Sequence, residues 1–191
     1  MKVIPVLVLG GLVVAGCTPN YFQQGNSTRA LMLTGLDPNP LQSDVRTGTN
    51  ICPDFATVRV ENHAKNPNAP DAGFRDDIVV ERYEVHYFRS DGRGVEGVDV
   101  PYSISGNISF EIQAEAGVNF NLEVVRRQAK LEPPLSQLVN GGGAFIVTLF
   151  AEVTLHARTT TGVTTNTASG RMQVDFADFA GTETTCPTTT N

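Results

Sequence analysis

Phe145-Ile146-Val147-Thr148-Leu149-Phe150-Ala151-Glu152-Val153-Thr154-Leu155-His156 is the stretch that decides the fold. Phe145, Val147, Leu149, Ala151, Val153 and Leu155 take every second position, with Thr148, Glu152, Thr154 and His156 on the opposite set. Successive side chains of a strand point to opposite faces, so this period of two marks a strand with one buried face and one wet face. The run turns at Thr160-Thr161-Gly162 and returns through a partner strand that ends in Met172, Val174 and Phe176.

The same alternation spreads outward along the chain. Val58 and Val60 alternate with Arg59 and Glu61. Val79, Tyr83, Val85 and Tyr87 oppose Arg82, Glu84 and His86, with Glu81 the one charge out of step. Ile108, Phe110 and Ile112 alternate with Ser109, Glu111 and Gln113, and Val118, Phe120, Leu122 and Val124 with Asn119, Asn121 and Glu123. No stretch keeps a helical period, and the best helical candidate is a single turn around Leu135 to Val139, after Pro133 and Pro134. Six or seven such strands in about 125 residues must bury their apolar faces against a second sheet, which predicts an all-β, two-sheet antiparallel β-sandwich over residues 51–187. A closed barrel is the alternative. The pattern resembles the immunoglobulin-like and fibronectin type III-like class in general form only. There is no Trp for the core, and both downstream cysteines lie outside the strands.

The N-terminus carries a more specific resemblance. Met1-Lys2 is a short basic region, and Val3 to Gly16 is almost wholly apolar. Fourteen helical residues rise only about 21 Å against a hydrocarbon core of about 30 Å, so the segment reads as a removable signal rather than a span. Val14-Ala15-Gly16-Cys17 resembles the lipobox of bacterial lipoproteins: an aliphatic residue, two small ones, then cysteine. The resemblance implies cleavage after Gly16, a thioether-linked diacylglycerol on Cys17 and anchorage in a lipid bilayer. Several acyl chains at about 0.8 kcal/mol per buried methylene hold a protein permanently. Thr18 after the cysteine points to the outer membrane. Residues 17–50 then read as lipidated cysteine and tether, rich in chain breakers and interrupted only by Ala30-Leu31-Met32-Leu33, a candidate short strand on the domain edge. A flexible tether of that length has an end-to-end distance of about 30 Å. Residues 188–191 read as a disordered tail.

Cleavage removes one charge, Lys2, leaving 13 basic residues against 20 acidic ones and a formal charge of −7. That balance argues against a nucleic-acid partner, which requires a basic footprint, and against electrostatic adhesion to anionic lipid. With Cys17 acylated, Cys52 and Cys186 remain, and an exported compartment permits a disulfide between them.

Chemistry-bearing motifs are few. Gly92-Arg93-Gly94-Val95-Glu96-Gly97 matches the dinucleotide fingerprint by letters, but Val98-Asp99-Val100-Pro101-Tyr102 follows where a helix must begin. His86 and His156 fall on polar strand faces without the spacing of a metal pair, and His63 stands alone. Asp71, Asp76 and Asp77 offer hard oxygen ligands for calcium but lack the ordered acidic pattern of a calcium loop. No nucleophile elbow, P-loop or C-x-x-C is present, so no catalytic residue, metal or cofactor is assigned and the chain reads as a non-enzyme. Two stretches qualify for binding: the basic cluster Arg126, Arg127 and Lys130, and the loop from Asp91 to Tyr102, with Asp91 and Arg93 at its start. The reading is of a lipid-anchored envelope module that binds or positions an envelope protein partner, with small-ligand or glycan binding as the alternative.

Overall fold

The computed structural model describes residues 28–46, 50–66, 68, 76–141, 145–160, 165–179 and 185–186. The signal segment, Cys17, Thr18, Asp71 and the tail at 188–191 lie outside the described residues.

Eight strands build two sheets. They are β1 (Arg29–Asp37), β2 (Leu41–Asp44), β3 (Asp54–Ala64), β4 (Ile78–Phe88), β5 (Ile104–Ile112), β6 (Gly117–Val125), β7 (Val147–Thr159) and β8 (Thr165–Ala177). A short helix α1 (Arg127–Leu131) and a 3-10 turn (Leu135–Leu138) lie between β6 and β7. The three-stranded sheet has the order β1-β3-β6, and the five-stranded sheet β2-β8-β7-β4-β5. The five-stranded sheet is curled.

One apolar core joins the sheets, from Val58, Val60, Leu122 and Val124 on one side to Val85, Leu149, Val153, Leu155, Val174 and Phe176 on the other. Fully burying each such side chain contributes about 1.5–3 kcal/mol, which is why the period of two reads so directly as fold. β7 keeps that period from Leu149 to Ala157. Phe145 and Ile146 precede the strand and stand 69% and 56% exposed, so the inward run begins at Val147 and not at Phe145.

Glu81 marks a real irregularity. The register of β4 shifts between Val80 and Arg82 against both β5 and β7. Ile78 and Val80 are buried before the shift and Tyr83, Val85 and Tyr87 after it, so Val80 takes the inward place expected of Val79. An extra residue in one strand bends it and increases its twist, consistent with the curl of this sheet.

Residues 29–44 correct the tether reading. β1 pairs antiparallel with β3 from Arg29↔Ala64 to Asp37↔Thr57. After Pro38 and Pro40, β2 joins the other sheet, parallel to β8, from Leu41↔Val174 to Asp44↔Ala177. The strand expected at Ala30–Leu33 is therefore longer, and one pair of the predicted antiparallel sandwich is parallel because the chain arrives by crossing sheets rather than through a hairpin. β1 closes onto β8 at Gly170, where a Cβ would stand 2.7 Å from Leu33 Cδ2 and 3.3 Å from Leu36 Cδ1.

Cys52 and Cys186 form a disulfide with Cα atoms 5.2 Å apart. Because β1 and β2 precede Cys52, the bridge encloses β3 to β8 rather than the whole folded region. Among the described residues, no helix is long and apolar enough to cross a membrane.

Candidate functional site

β5 and β6 are consecutive in the chain yet end in different sheets, and among the described residues each pairs on one side only. Between their free edges lies a cleft of about 710 Å³, lined by Thr57, Asn107, Ile108, Ser109, Phe110, Val118, Asn119, Phe120 and Asn121. Its floor comes from the inward alternation of both strands. Ile108, Phe110, Val118 and Phe120 remain half-buried because the sheets splay here, whereas Ile104, Leu122 and Val124 farther along the same strands are buried. The rings of Phe110 and Phe120 meet with centroids 4.6 Å apart and planes tilted by 50°. The rim is amide and hydroxyl without a charge: Asn107, Ser109, Asn119 and Asn121, with Thr57 Oγ1 donating to Asn121 Oδ1 at 3.1 Å.

Hydrogen bonds pin the segments that flank each end of the lined stretches. At one end the turn Gln113–Ala116 carries the chain from sheet to sheet, held by Asn62 N–H to Ala116 O (2.9 Å), Glu115 N–H to Asn62 O (2.9 Å) and Ala114 N–H to Asp77 Oδ1 (2.8 Å). At the other, Arg126 Nη2 donates to Ser103 O at 2.5 Å, and the buried Tyr87 hydroxyl donates to Val124 O. Burial drives the Tyr87 phenol far above its ordinary range, so it stays neutral and serves as a donor. Gly106 completes this end: a Cβ there would stand 2.4 Å from Tyr83 Cε1, so the ring lies flat against bare backbone. The volume falls within the usual range for ligand sites, and an apolar floor under a few uncharged polar groups is the usual chemistry of such sites.

A second constellation lies on the outer face of the five-stranded sheet. Glu84 is flanked by His86 Nε2 at 3.5 Å and His156 Nε2 at 3.6 Å. Ser103 Oγ lies 2.8 Å from His86 Nδ1 and donates to the Glu96 carboxylate. That hydrogen bond with Ser103 is the main cause holding Glu96 below its ordinary pKa. With the hydroxyl proton directed at Glu96, His86 Nδ1–H is the donor to Ser103 Oγ rather than a base acting on it. The group ties the loop before β5 down onto β4. Among the described residues, no group of three or more His, Cys, Asp or Glu is arranged to hold a metal ion.

The basic cluster expected at residues 126–130 is not one surface. Arg126 donates to the Ser103 carbonyl, Arg127 is exposed on α1, and Lys130 is 1% exposed. Lys130 Nζ donates to Asp44 O at 2.7 Å and pairs with Asp54 Oδ2 at 2.8 Å, while Ser43 Oγ donates to the same carboxylate at 2.5 Å. Burial is the main influence on Asp54 and raises its pKa, against the lowering effect of Lys130. A one-turn helix at Arg127–Leu131 carries the lysine, which is buried.

In the predicted recognition loop, Asp91 and Arg93 pair with each other at 2.8 Å, joined by Arg89 and Asp99. Their charges are satisfied within the loop. Val95 and Val98 are exposed, but Val100 is buried. Gly92 and Gly97 adopt positive φ angles of 82° and 73°, and no helix follows the last glycine, so the letters of the dinucleotide fingerprint have no phosphate-binding context. Asp77 accepts from Ala114 N–H, and Asp76 O accepts from Asn62 Nδ2 at 3.2 Å; both aspartates hold the turn beside the cleft. Sequence reasoning named every strand residue of the cleft floor but took them all for core. The missed signal was two adjacent strands whose wet faces carry Asn and Ser at neighbouring positions, Asn107 and Ser109 on one and Asn119 and Asn121 on the other.

No protein-family model and no curated protein matches the sequence. Among solved structures, the chain is similar to Spo0M, a sporulation control protein from Bacillus subtilis, at 10% identity and a TM-score of 0.30. The likeness covers 79% of this chain and 50% of that one, so the chain spans half the length of that protein. A likeness of that degree carries neither fold nor function across.

Proposed function

We propose that this chain is an exported lipoprotein, acylated at Cys17 and held at the outer membrane, whose domain is a non-catalytic module that binds or positions another envelope component. The observation that carries the binding role is the cleft between β5 and β6, an aromatic floor under an uncharged rim. Val14-Ala15-Gly16-Cys17 supports the anchor, and the Cys52–Cys186 bridge supports an oxidising compartment. The domain is immunoglobulin-like in general arrangement, two sheets about one core.

Two experiments test this. Palmitate labelling that disappears in Cys17→Ala is expected, and unlabelled wild-type protein would remove the anchor. Proximity crosslinking in the native envelope with mass spectrometry tests the binding role. A dominant adduct lost when Ile108→Trp or Val118→Trp fills the cleft is expected; adducts indifferent to that filling would overturn the assignment. The second reading, a glycan or small-molecule ligand, is favoured by the amides of Asn107, Asn119 and Asn121, which both donate and accept. Glycan fragments retained in place of a protein adduct would select it.

A further inference from the structure

We infer that the cleft takes an extended segment of a protein partner, about four residues long, which adds as a strand to the free edges of β5 and β6. This rests on the reading above that the cleft is the binding site.

The four outer strands are not equally protected. β1 is covered by β8, with Leu33 and Leu36 packed over Gly170. β2 is four residues long and follows Pro38 and Pro40. Short length, proline, charge and coverage are the usual guards against strand addition. β5 and β6 are nine residues each, and their stretches Ser105–Ser109 and Gly117–Asn121 contain neither a charge nor a proline. By burial their inward alternation runs from Ile104 to Ile112 and from Val118 to Val124, while the register of β5 against β4 shifts between Asn107 and Phe110.

The side chains fit an extended occupant. Ile108 and Phe110 on one edge, and Val118 and Phe120 on the other, are spaced two residues apart, the repeat at which a strand presents side chains to one face. The rim amides suit backbone N–H and C=O groups, which are uncharged donors and acceptors. The lined stretches set the length: four residues at about 3.3 Å each span Asn107–Phe110 and Val118–Asn121.

The test places a photo-crosslinking residue singly at Asn107, Ser109, Asn119 or Asn121 in the full-length protein within its native envelope. Adduct peptides are then sequenced by mass spectrometry. The expected result is one contiguous partner segment, with probes two positions apart on β5 reaching partner residues two apart in a constant direction, and the same segment reached from β6. Adducts to glycan or lipid, or protein adducts without such a register, overturn strand addition while leaving the cleft as a binding site. No adduct at any of the four positions, while a probe at Arg171 on the far face does crosslink, overturns the site itself. A synthetic peptide of the captured segment gives a second readout. Asn119→Lys, an exposed guard charge, is expected to weaken its binding about tenfold; unchanged affinity counts against the edge-on mode.

Discussion

Lys130 Nζ lies 2.8 Å from Asp54 Oδ2, with the lysine side chain fully shielded from solvent. The pair joins α1 to the first residue of β3, and the bond from Lys130 to Asp44 O adds the end of β2. Three segments distant in sequence therefore meet at one ammonium. Removing one partner of a buried pair leaves the other uncompensated, at a cost of about 3–5 kcal/mol. Asp54→Asn and Lys130→Ala should each destabilise the domain by that order in denaturant titration. The double variant should cost less than the sum. Additive losses would show that the two residues do not act as a unit.

His63 supplies a pH dependence. Its Nε2 is 2.8 Å from Glu61 Oε2 and its Nδ1 3.5 Å from Glu115 Oε2, with Arg29 on Glu115 and Arg59 on Glu61. The hydrogen bond with Glu61 is the main cause raising the His63 pKa above its ordinary value, and the same bond is the main cause lowering that of Glu61. A raised histidine contributes stability that is complete below the unfolded value, about 6.5, and lost as pH rises through the higher folded one. Denaturation midpoints should therefore fall as pH rises from 6.5 into the range just above it, and His63→Gln should flatten that slope. An equal slope in the variant would remove His63 as the cause.

Gly106 is expected to tolerate no side chain. With Tyr83 Cε1 only 2.4 Å from the place of a Cβ, Gly106→Ala forces the ring away and should cost about 1–3 kcal/mol, as overpacking does. In a Tyr83→Val background the same change should cost far less. A full cost in that background would locate the strain elsewhere.

The domain boundary can be tested by truncation. A chain beginning at Thr28 retains β1 and β2 and should unfold cooperatively, whereas one beginning at Ile51 lacks both and exposes the β3 edge. The shorter chain should bind a hydrophobic dye and aggregate. The disulfide cannot rescue it, because the bridge encloses only the segments that follow Cys52. Cooperative unfolding of the shorter chain with unchanged stability would restore residues 29–44 to the tether.

Strand identity was legible wherever a face is buried, because burial selects apolar residues at alternate positions and leaves the record in the chain itself. Val58 and Val60, the run through Leu149 to Leu155, and even the displaced Glu81 could be placed that way. The sequence alone also yielded the cysteine pairing, since two thiols remained once Cys17 was set aside. Tertiary structure decided the rest, for three physical reasons. β1 and β2 are joined to their sheets by backbone hydrogen bonds, which composition does not report, so a stretch rich in Pro, Asn and Asp passed for a tether. Lys130 is buried because a single helical turn redirects it toward a carboxylate more than seventy residues earlier in the chain. Phe110 and Phe120 carry the pattern of core residues, and only the splaying of two sheets at β5 and β6 turns that pattern into the floor of an open cleft. Periodicity reports which face of a strand is apolar; what meets that face is settled by the packing of distant segments.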